Sequence, residues 1–189
     1  MYNKMSQLQQ LNEMLTERSQ QPVGMFTPAP QSKPTKEYNY DRFMRGIVQP
    51  ENSGKFDWSA KNPTSTATGA FQILYSLHKD ELLSDYAIKS RDEFAGSKEA
   101  QIGIMKHRID KYRKDASDLR IEYAPQLKDK FNFTDDEIMA LVHFVGRQGT
   151  RKYFAALRDG KDPSTLIPGR NITHEEYLKR FNQGLSKYK

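Results

Sequence analysis

The first stretch of the chain carries apolar residues at helical spacing. They recur at steps of three or four positions, with Gln, Asn, Ser and Glu residues between them: Met1, Met5, Leu8, Leu11 and Leu15. This pattern predicts an amphipathic helix over residues 1–21. Because an isolated helix of about five turns is marginal in water, its apolar face is expected to bind a partner surface. A frayed tail is the alternative.

A proline-rich segment follows this helix. Four of the nine prolines lie between Pro22 and Pro34. Because proline fixes φ and removes an amide donor, residues 22–37 are predicted to form an extended linker. The folded domain is then expected to occupy residues 38–189.

Helical periodicity dominates the rest of the chain. The first domain helix is predicted to begin at Tyr40 and to end near Gln49, because Pro50 follows. Capping boxes at Thr134 and Thr173, each with a glutamate three positions on, predict the starts of two later helices. Three apolar faces indicate the later helices: Ile102, Met105, Ile109 and Tyr112; Ile138, Leu141, Val142 and Val145; and Tyr177, Leu178 and Phe181.

One segment departs from helical spacing. Phe56 and Trp58 alternate with polar residues, and Asn62-Pro63 and a Ser/Thr-rich run come after them. This pattern is typical of a small β-hairpin or an ordered loop. The predicted fold class is therefore α+β, mostly α, with a small β-hairpin.

Composition narrows the classes of function. The chain has 189 residues, of which 36% are hydrophobic, and its mean hydropathy is −0.86. It contains no apolar run long enough to predict a membrane span, and its first residues lack the apolar stretch of a secretory signal. The absence of cysteine excludes disulfides, thiol nucleophiles and thiolate metal sites. The formal charge of +6 suits an acidic polymer as partner.

Neither a metal, a cofactor nor a nucleic-acid partner is expected. The four histidines are far apart in sequence, and His174 lacks a second histidine one helical turn on. No glycine-rich loop of the phosphate-binding kind is present. The basic run at 106–114 is interrupted by Ile109 and Tyr112 on the predicted core face, which indicates a solvated helix surface.

Glu51 is the candidate for acid chemistry. It lies at the predicted carboxyl-terminal end of the first domain helix, where the helix dipole disfavours a further negative charge. Phe56 and Trp58 are expected to desolvate its carboxyl and to raise its pKa. A carboxylic acid that keeps its proton near neutral pH is what glycosidic-bond cleavage requires. If Glu51 is considered alone, the alternative is that it is a solvated glutamate on the surface.

Three sequence blocks, in order, resemble one enzyme superfamily. They are Glu-Asn-Ser at 51–53; Asn-Pro, a Ser/Thr-rich turn and Gly-Ala-Phe-Gln-Ile at 62–73; and the segment 140–154, with His143, Phe144, Gly146 and Gly149. Together they are similar to the signature of the soluble lytic transglycosylases and goose-type lysozymes, notably the phage-borne branch. The sequence departs from this signature at Asn52, because the family has serine directly after its glutamate.

The resemblance implies a lysozyme-like fold and cleavage of peptidoglycan between N-acetylmuramic acid and N-acetylglucosamine. Lytic transglycosylases of this family use one glutamic acid and release a 1,6-anhydro sugar without water. In this chain Glu51 would be the acid and then the base, while Gln72 and Ser53 or Asn52 would hydrogen-bond the sugar. The side chains expected to form walls for sugar rings are Phe71, His143, Phe144 and Tyr153.

Alternatives stay open for several of these residues. For Phe71 and His143, the alternative to a position in the cleft is a position in the hydrophobic core. Asp57, as a second carboxylate that activates water, would make the enzyme a muramidase of the same fold. The altered Glu-Asn-Ser order also fits a catalytically inactive structural or glycan-binding protein.

The phage-borne branch of the family also implies a location. The chain would be a tail or internal protein of a bacteriophage virion and would cleave glycan strands in the host periplasm or cell wall. The amphipathic helix at 1–21 would then dock the enzyme on another virion protein.

Overall fold

The computed structural model describes residues 38–166 and 172–187, so the predicted helix at 1–21 and linker at 22–37 lie outside the described residues. The helices and strands, in chain order, are α1 (Tyr40–Asn52), β1 (Ala67–Thr68), β2 (Ile73–Leu74), α2 (Lys79–Tyr86), α3 (Arg91–Gly96), α4 (Lys98–Leu127), α5 (Asp135–Arg158) and α6 (His174–Ser186). Short 3-10 turns lie at Tyr75–Leu77, Lys128–Lys130 and Pro163–Leu166. The fold is α+β and mostly α, with one small antiparallel sheet.

The two long helices, α4 and α5, pack against each other at the centre of the core. The predicted capping box at the start of α5 is confirmed, because Thr134 Oγ1 accepts the Glu137 N–H and the Glu137 carboxylate accepts the Thr134 N–H. Fully buried side chains on the facing surfaces include Ile104, Met105, Ile109, Leu119, Ile138, Leu141 and Phe154. None of the described helices is both long enough and apolar enough to cross a membrane.

Helix α5 bends at Gly146. This glycine has φ of 73° and ψ of 167°, a conformation that interrupts the helix and that residues with a Cβ rarely adopt. Thr150 Oγ1 donates to the Gly146 carbonyl at 2.9 Å and so satisfies an acceptor next to the bend. The bend follows directly after the segment that carries His143 and Phe144.

Helix α6 lies unusually close to α1. A Cβ on Gly46 of α1 would come within 2.5 Å of the Phe181 ring, and a Cβ on Gly184 of α6 would come within 2.9 Å of the Arg45 carbonyl oxygen. These two glycines therefore allow the close approach of the two helices. At its start, α6 has only half of the predicted capping box: Thr173 Oγ1 accepts the Glu176 N–H, while the Glu176 carboxylate pairs with Arg180.

Helix α1 runs beyond its predicted end. It continues through Pro50 to Asn52, because a proline in the last turn removes only one amide donor and has a φ that suits a helix. The end is closed by the Gly54 N–H, which donates to the Val48 carbonyl at 3.1 Å, while Ser53 adopts a left-handed conformation with φ of 53°. Glu51 therefore belongs to the last turn of α1.

The hairpin lies later in the chain than the Phe56–Trp58 alternation indicates. That segment is a loop, and the two strands pair antiparallel with Ala67 opposite Leu74 and Thr68 opposite Ile73. Arg91 of α3 holds the first strand: its Nη2 donates to the Ala67 carbonyl at 2.7 Å and its Nε to Thr68 Oγ1 at 2.9 Å. This long-range support explains how such short strands persist.

Candidate active site

A cleft of about 570 Å³ lies beside the end of α1. Its described lining consists of Pro50, Glu51, Asn62, Thr64, Ser65, Ala67, Gln72, Leu74, Arg108, His143, Phe144, Ile172 and Tyr177. The volume is in the range of small-molecule sites, and the walls combine apolar rings with a few polar groups. Four predicted site residues meet here: Glu51, Gln72, His143 and Phe144.

The Glu51 carboxyl is held by a tyrosine from the far end of the sequence. The Tyr177 hydroxyl donates to Glu51 Oε1 at 2.8 Å, although the two residues are 126 positions apart. The Tyr177 ring stacks on Phe144 with a centroid distance of 4.2 Å and an interplanar angle of 16°. The Glu51 side chain is 20% exposed. It is therefore accessible from the cleft while one of its oxygens is fixed.

His143 faces the same carboxyl oxygen, and both of its ring nitrogens have neighbours at hydrogen-bond distance. Arg108 Nε donates to the Tyr112 hydroxyl oxygen at 2.6 Å, and that hydroxyl lies 3.2 Å from His143 Nδ1. His143 Nε2 lies 3.1 Å from the Phe71 carbonyl oxygen and 3.6 Å from Glu51 Oε1. These contacts fix the orientation of the imidazole beside Glu51.

The buried hydroxyl of Tyr112 keeps its proton. Burial raises the pKa of Tyr112, and the Arg108 guanidinium opposes that effect without reversing it. A phenol that stays protonated can donate to His143 at neutral pH.

The Gly69–Gln72 segment forms a wall of the cleft in a strained conformation. Gln72 has φ of 50°, which is uncommon for a residue with a Cβ, and its Nε2 donates to the Gly69 carbonyl at 3.0 Å. Such strain persists only where the surrounding structure enforces it, and it is frequent at functional sites. Gln72 is half-buried and lines the cleft, as its predicted role requires.

Gln101 of α4 organises this wall from below. It is fully buried; its Oε1 accepts the Ala70 N–H at 3.1 Å, and its Nε2 donates to the carbonyls of Trp58 and Phe94. Gly69 has φ of 76°, and a Cβ there would lie 1.8 Å from Gln101 Oε1. The glycine of the motif is therefore required both by its φ and by the closeness of this amide.

Two predicted sugar-binding residues have other positions. Asn52 directs its side-chain nitrogen to the carbonyls of Ala70 at 2.7 Å and Gly69 at 3.2 Å, so it ties the end of α1 to the motif. Ser53 is the exposed left-handed residue that ends α1. Neither belongs to the described lining of the cleft. The geometry thus assigns Asn52 to the support of the wall and Ser53 to the end of α1.

Phe71 and Tyr153 are core residues, which corrects their expected place in the cleft. Phe71 is fully buried and packs edge-on against Trp58, with ring centroids 5.7 Å apart. Tyr153 is 3% exposed and stacks on His174 at 4.5 Å. Both rings are too deeply buried to meet a sugar. Phe144 and Tyr177 are the aromatic residues in the described lining.

Phe56 and Trp58 also lie away from Glu51. Their rings contact each other at 5.4 Å and line a separate pocket of about 400 Å³ together with Met44 and Ile102. The predicted desolvation of Glu51 by this aromatic pair is therefore wrong. The apolar surface beside Glu51 belongs to Phe144 and Tyr177 instead.

Asp57 is a turn residue. Its Oδ1 accepts the Ser59 hydroxyl at 2.7 Å and the Ser59 N–H at 3.0 Å, and these bonds hold the pKa of Asp57 below its ordinary value. It is exposed and does not belong to the described lining, whose one acidic residue is Glu51. Among residues 38–166 and 172–187, no group of acidic or histidine side chains could hold a metal ion.

Comparisons of the chain with protein-family models, with curated proteins and with solved structures find no match. The function is therefore inferred from the geometry of the cleft and from the three sequence blocks.

Sequence reasoning missed several residues of the cleft. The apolar spacing of the last helix assigns Tyr177 to the core, and nothing local indicates that its hydroxyl reaches Glu51. Arg108 and Tyr112 were assigned to a solvated face and a core face of α4. Gln101 did leave a signal, because it is a polar residue among the apolar positions of the helix that continue at Ile104 and Met105.

Proposed function

We propose that this protein is a peptidoglycan lytic transglycosylase in which Glu51 acts first as acid and then as base. The observation that carries the proposal is the cleft itself: one carboxyl, held by Tyr177 and faced by His143, with no second acid in the described lining. Glycosidases that activate water need two carboxyl groups, roughly 5–5.5 Å or 6.5–9.5 Å apart. A one-acid cleft favours a reaction without water.

The first step is protonation of the leaving group. The glycan lies in the cleft with the oxygen between N-acetylmuramic acid and N-acetylglucosamine near Glu51. Glu51 gives its proton to that oxygen as the bond from C1 to the oxygen breaks. Negative charge develops on the carboxylate at this moment, and the hydrogen bond from Tyr177 stabilises it.

The second step closes the sugar on itself. The C6 hydroxyl of the muramic acid attacks C1, and the Glu51 carboxylate takes its proton. The products are a 1,6-anhydro sugar and a glycan with a free 4-hydroxyl, and Glu51 regains its starting protonation. Because the nucleophile belongs to the substrate, its attack has the advantage of an intramolecular reaction.

The remaining lining suits a carbohydrate. Hydroxyl and amide groups of Asn62, Thr64, Ser65 and Gln72 can exchange hydrogen bonds with sugar hydroxyl and acetamido groups. Phe144, which stacks on Tyr177 and is 9% exposed, adds apolar surface to the lining. This mixture of apolar walls and few polar groups is typical of small-ligand sites.

Product analysis tests the proposal. Purified protein and its Glu51→Gln variant are incubated with peptidoglycan, and the released sugars are identified by mass spectrometry. Anhydro-muropeptides from the wild type alone support the transglycosylase. Reducing-end products would instead identify a muramidase, and no release from either protein would identify a structural or glycan-binding protein.

The cellular setting is a separate part of the proposal and depends on the resemblance to the phage-borne branch. In that setting the protein is a virion component whose segment 1–21 docks on another virion protein. Deletion of residues 1–36 should abolish incorporation into particles and spare wall cleavage. Unchanged incorporation would contradict this docking role.

A further inference from the structure

A second groove adjoins the cleft. It measures about 550 Å³, and its described lining comes from the 3-10 turn after β2 and from α2, α4 and α5: Leu77, His78, Glu81, His107, Arg108, Lys111, Tyr112, Asp115, Val142, Gly146 and Arg147. Arg108 lines both the cleft and this groove. The two spaces therefore meet at its guanidinium, and a branched ligand could occupy both.

The acidic groups of the groove already have partners other than Arg108 and Lys111. The Glu81 carboxylate lies 3.0 Å from His78 Nδ1 and 2.7 Å from His107 Nδ1. Asp115 pairs with Arg147 at 2.8 Å. Neither carboxylate forms a described ion pair with Arg108 or Lys111.

Two cations of the groove have no carboxylate partner in the described part of the chain. Arg108 contacts the Tyr112 hydroxyl and His78 Nε2, and no ion pair to Lys111 is formed within residues 38–166 and 172–187. Arg108 and Lys111 are three positions apart on α4, so their side chains project from neighbouring positions on one face of the helix. The groove therefore presents positive charge that suits a carboxylate ligand.

We propose that this groove binds carboxylates of the peptide stem that branches from N-acetylmuramic acid, an inference that rests on the proposed function. The stem branches from the same muramic acid whose C1–oxygen bond Glu51 would cleave. Arg108 lines both the cleft and the groove. A guanidinium recognises a carboxylate through two parallel hydrogen bonds, while the Lys111 ammonium adds a point charge. The exposed Leu77 offers apolar contact to the alkyl groups of the stem.

The test varies only the charge of the stem. Soluble peptidoglycan strands with free stem carboxylates are compared with the same strands after those carboxylates have been converted to amides. The wild type should cleave the free-carboxylate strands about tenfold more efficiently in kcat/KM, which corresponds to about 1.4 kcal/mol. This preference should fall below about threefold in Arg108→Gln and in Lys111→Gln.

Lys114→Gln is the matched control, because Lys114 is an exposed lysine of the same helix outside the described lining of the groove. It should keep the tenfold preference. Because each preference compares two substrates on one variant, a general loss of activity cancels, including any loss that Arg108→Gln causes through Tyr112 and His143.

The outcomes separate this inference from the proposed function. Equal cleavage of both strands by the wild type would overturn the inference and leave the transglycosylase intact. A preference that survives in both groove variants would likewise overturn it. Cleavage of neither strand would overturn the proposed function and, with it, the role of the groove.

Discussion

Two acidic side chains near the end of α1 have opposite surroundings. Glu51 lies in the cleft, and its donor is the Tyr177 hydroxyl, which comes from 126 positions away. Asp57 lies on the loop that follows α1, and its Oδ1 accepts two hydrogen bonds from Ser59, two positions away. One carboxyl depends on the whole fold for its environment, whereas the other makes its environment locally.

The difference determines what each acid can do. The Ser59 donors hold the pKa of Asp57 below its ordinary value, so Asp57 is ionised at neutral pH and has no proton to give. Glu51 lies in the cleft between the Tyr177 hydroxyl and His143, and its side chain is 20% exposed. Acid catalysis needs a carboxyl that a bound substrate can reach, and the cleft offers Glu51 such a position.

The largest expected effect follows from exchanging each acid for its amide. Glu51→Gln should lower the rate of peptidoglycan cleavage by about 10³-fold, because Glu51 is the one acidic residue in the described lining of the cleft. Asp57→Asn should leave the rate within about twofold, since only a turn changes. Rates come from quantified muropeptide release, and circular dichroism establishes that both variants are folded. A large loss in Asp57→Asn would identify Asp57 as a second catalytic acid.

The stability of the cleft wall formed by Gly69–Gln72 should depend on one glycine. Gly69→Ala should destabilise the protein by about 2–4 kcal/mol, because φ of 76° is strained for alanine and the new Cβ would lie 1.8 Å from Gln101 Oε1. Gly96→Ala is the matched control: that glycine lies in α3 with nothing within 4 Å of an added Cβ, so the change should be neutral or stabilising. Urea unfolding measures both, and similar effects would contradict the close contact at Gly69.

How far the sequence predicts this molecule depends on the range of the interactions involved. The starts of α5 and α6 were predictable, because caps at Thr134 and Thr173 and apolar spacing act within a few residues. The sequence predicts a small hairpin but not the bounds of its strands, since residues 67–74 are held by Arg91 and Gln101 from distant helices. Two-residue strands carry no periodicity of their own.

The site follows the same rule. The motif identified Glu51 and Gln72, whose roles depend on neighbouring backbone. It could not distinguish Phe144, which lines the cleft, from Phe71, which is buried, because both are aromatic residues in a matching block. The sequence does not indicate which residue donates to Glu51, because the position of Tyr177 depends on the close packing of α6 on α1.

A smaller effect should follow from removing that donor. Tyr177→Phe keeps the ring that stacks on Phe144 and deletes the hydroxyl, so kcat should fall about tenfold while KM changes little. Tyr153→Phe removes a hydroxyl from a buried tyrosine outside the cleft and should keep kcat within about twofold. Steady-state kinetics on soluble strands separate kcat from KM. Equal losses in both variants would indicate that the Tyr177 hydroxyl acts only through stability.

The smallest expected effect concerns the locally held acid. Ser59→Ala removes the shorter of the two bonds to Asp57, so the pKa of Asp57 should rise toward its ordinary value. Because the folded pKa is depressed, Asp57 contributes stability above its unfolded pKa of about 3.9, and that stability is lost as the pH falls through the folded value. The variant should therefore lose less stability than the wild type between about pH 4 and the acid transition. Carbon-13 NMR titration measures the change, with the Asp92 carboxyl, held by Lys61, as an internal control that should not move. An unchanged Asp57 titration would show that the Ser59 N–H, and not the Ser59 hydroxyl, holds the pKa of Asp57 below its ordinary value.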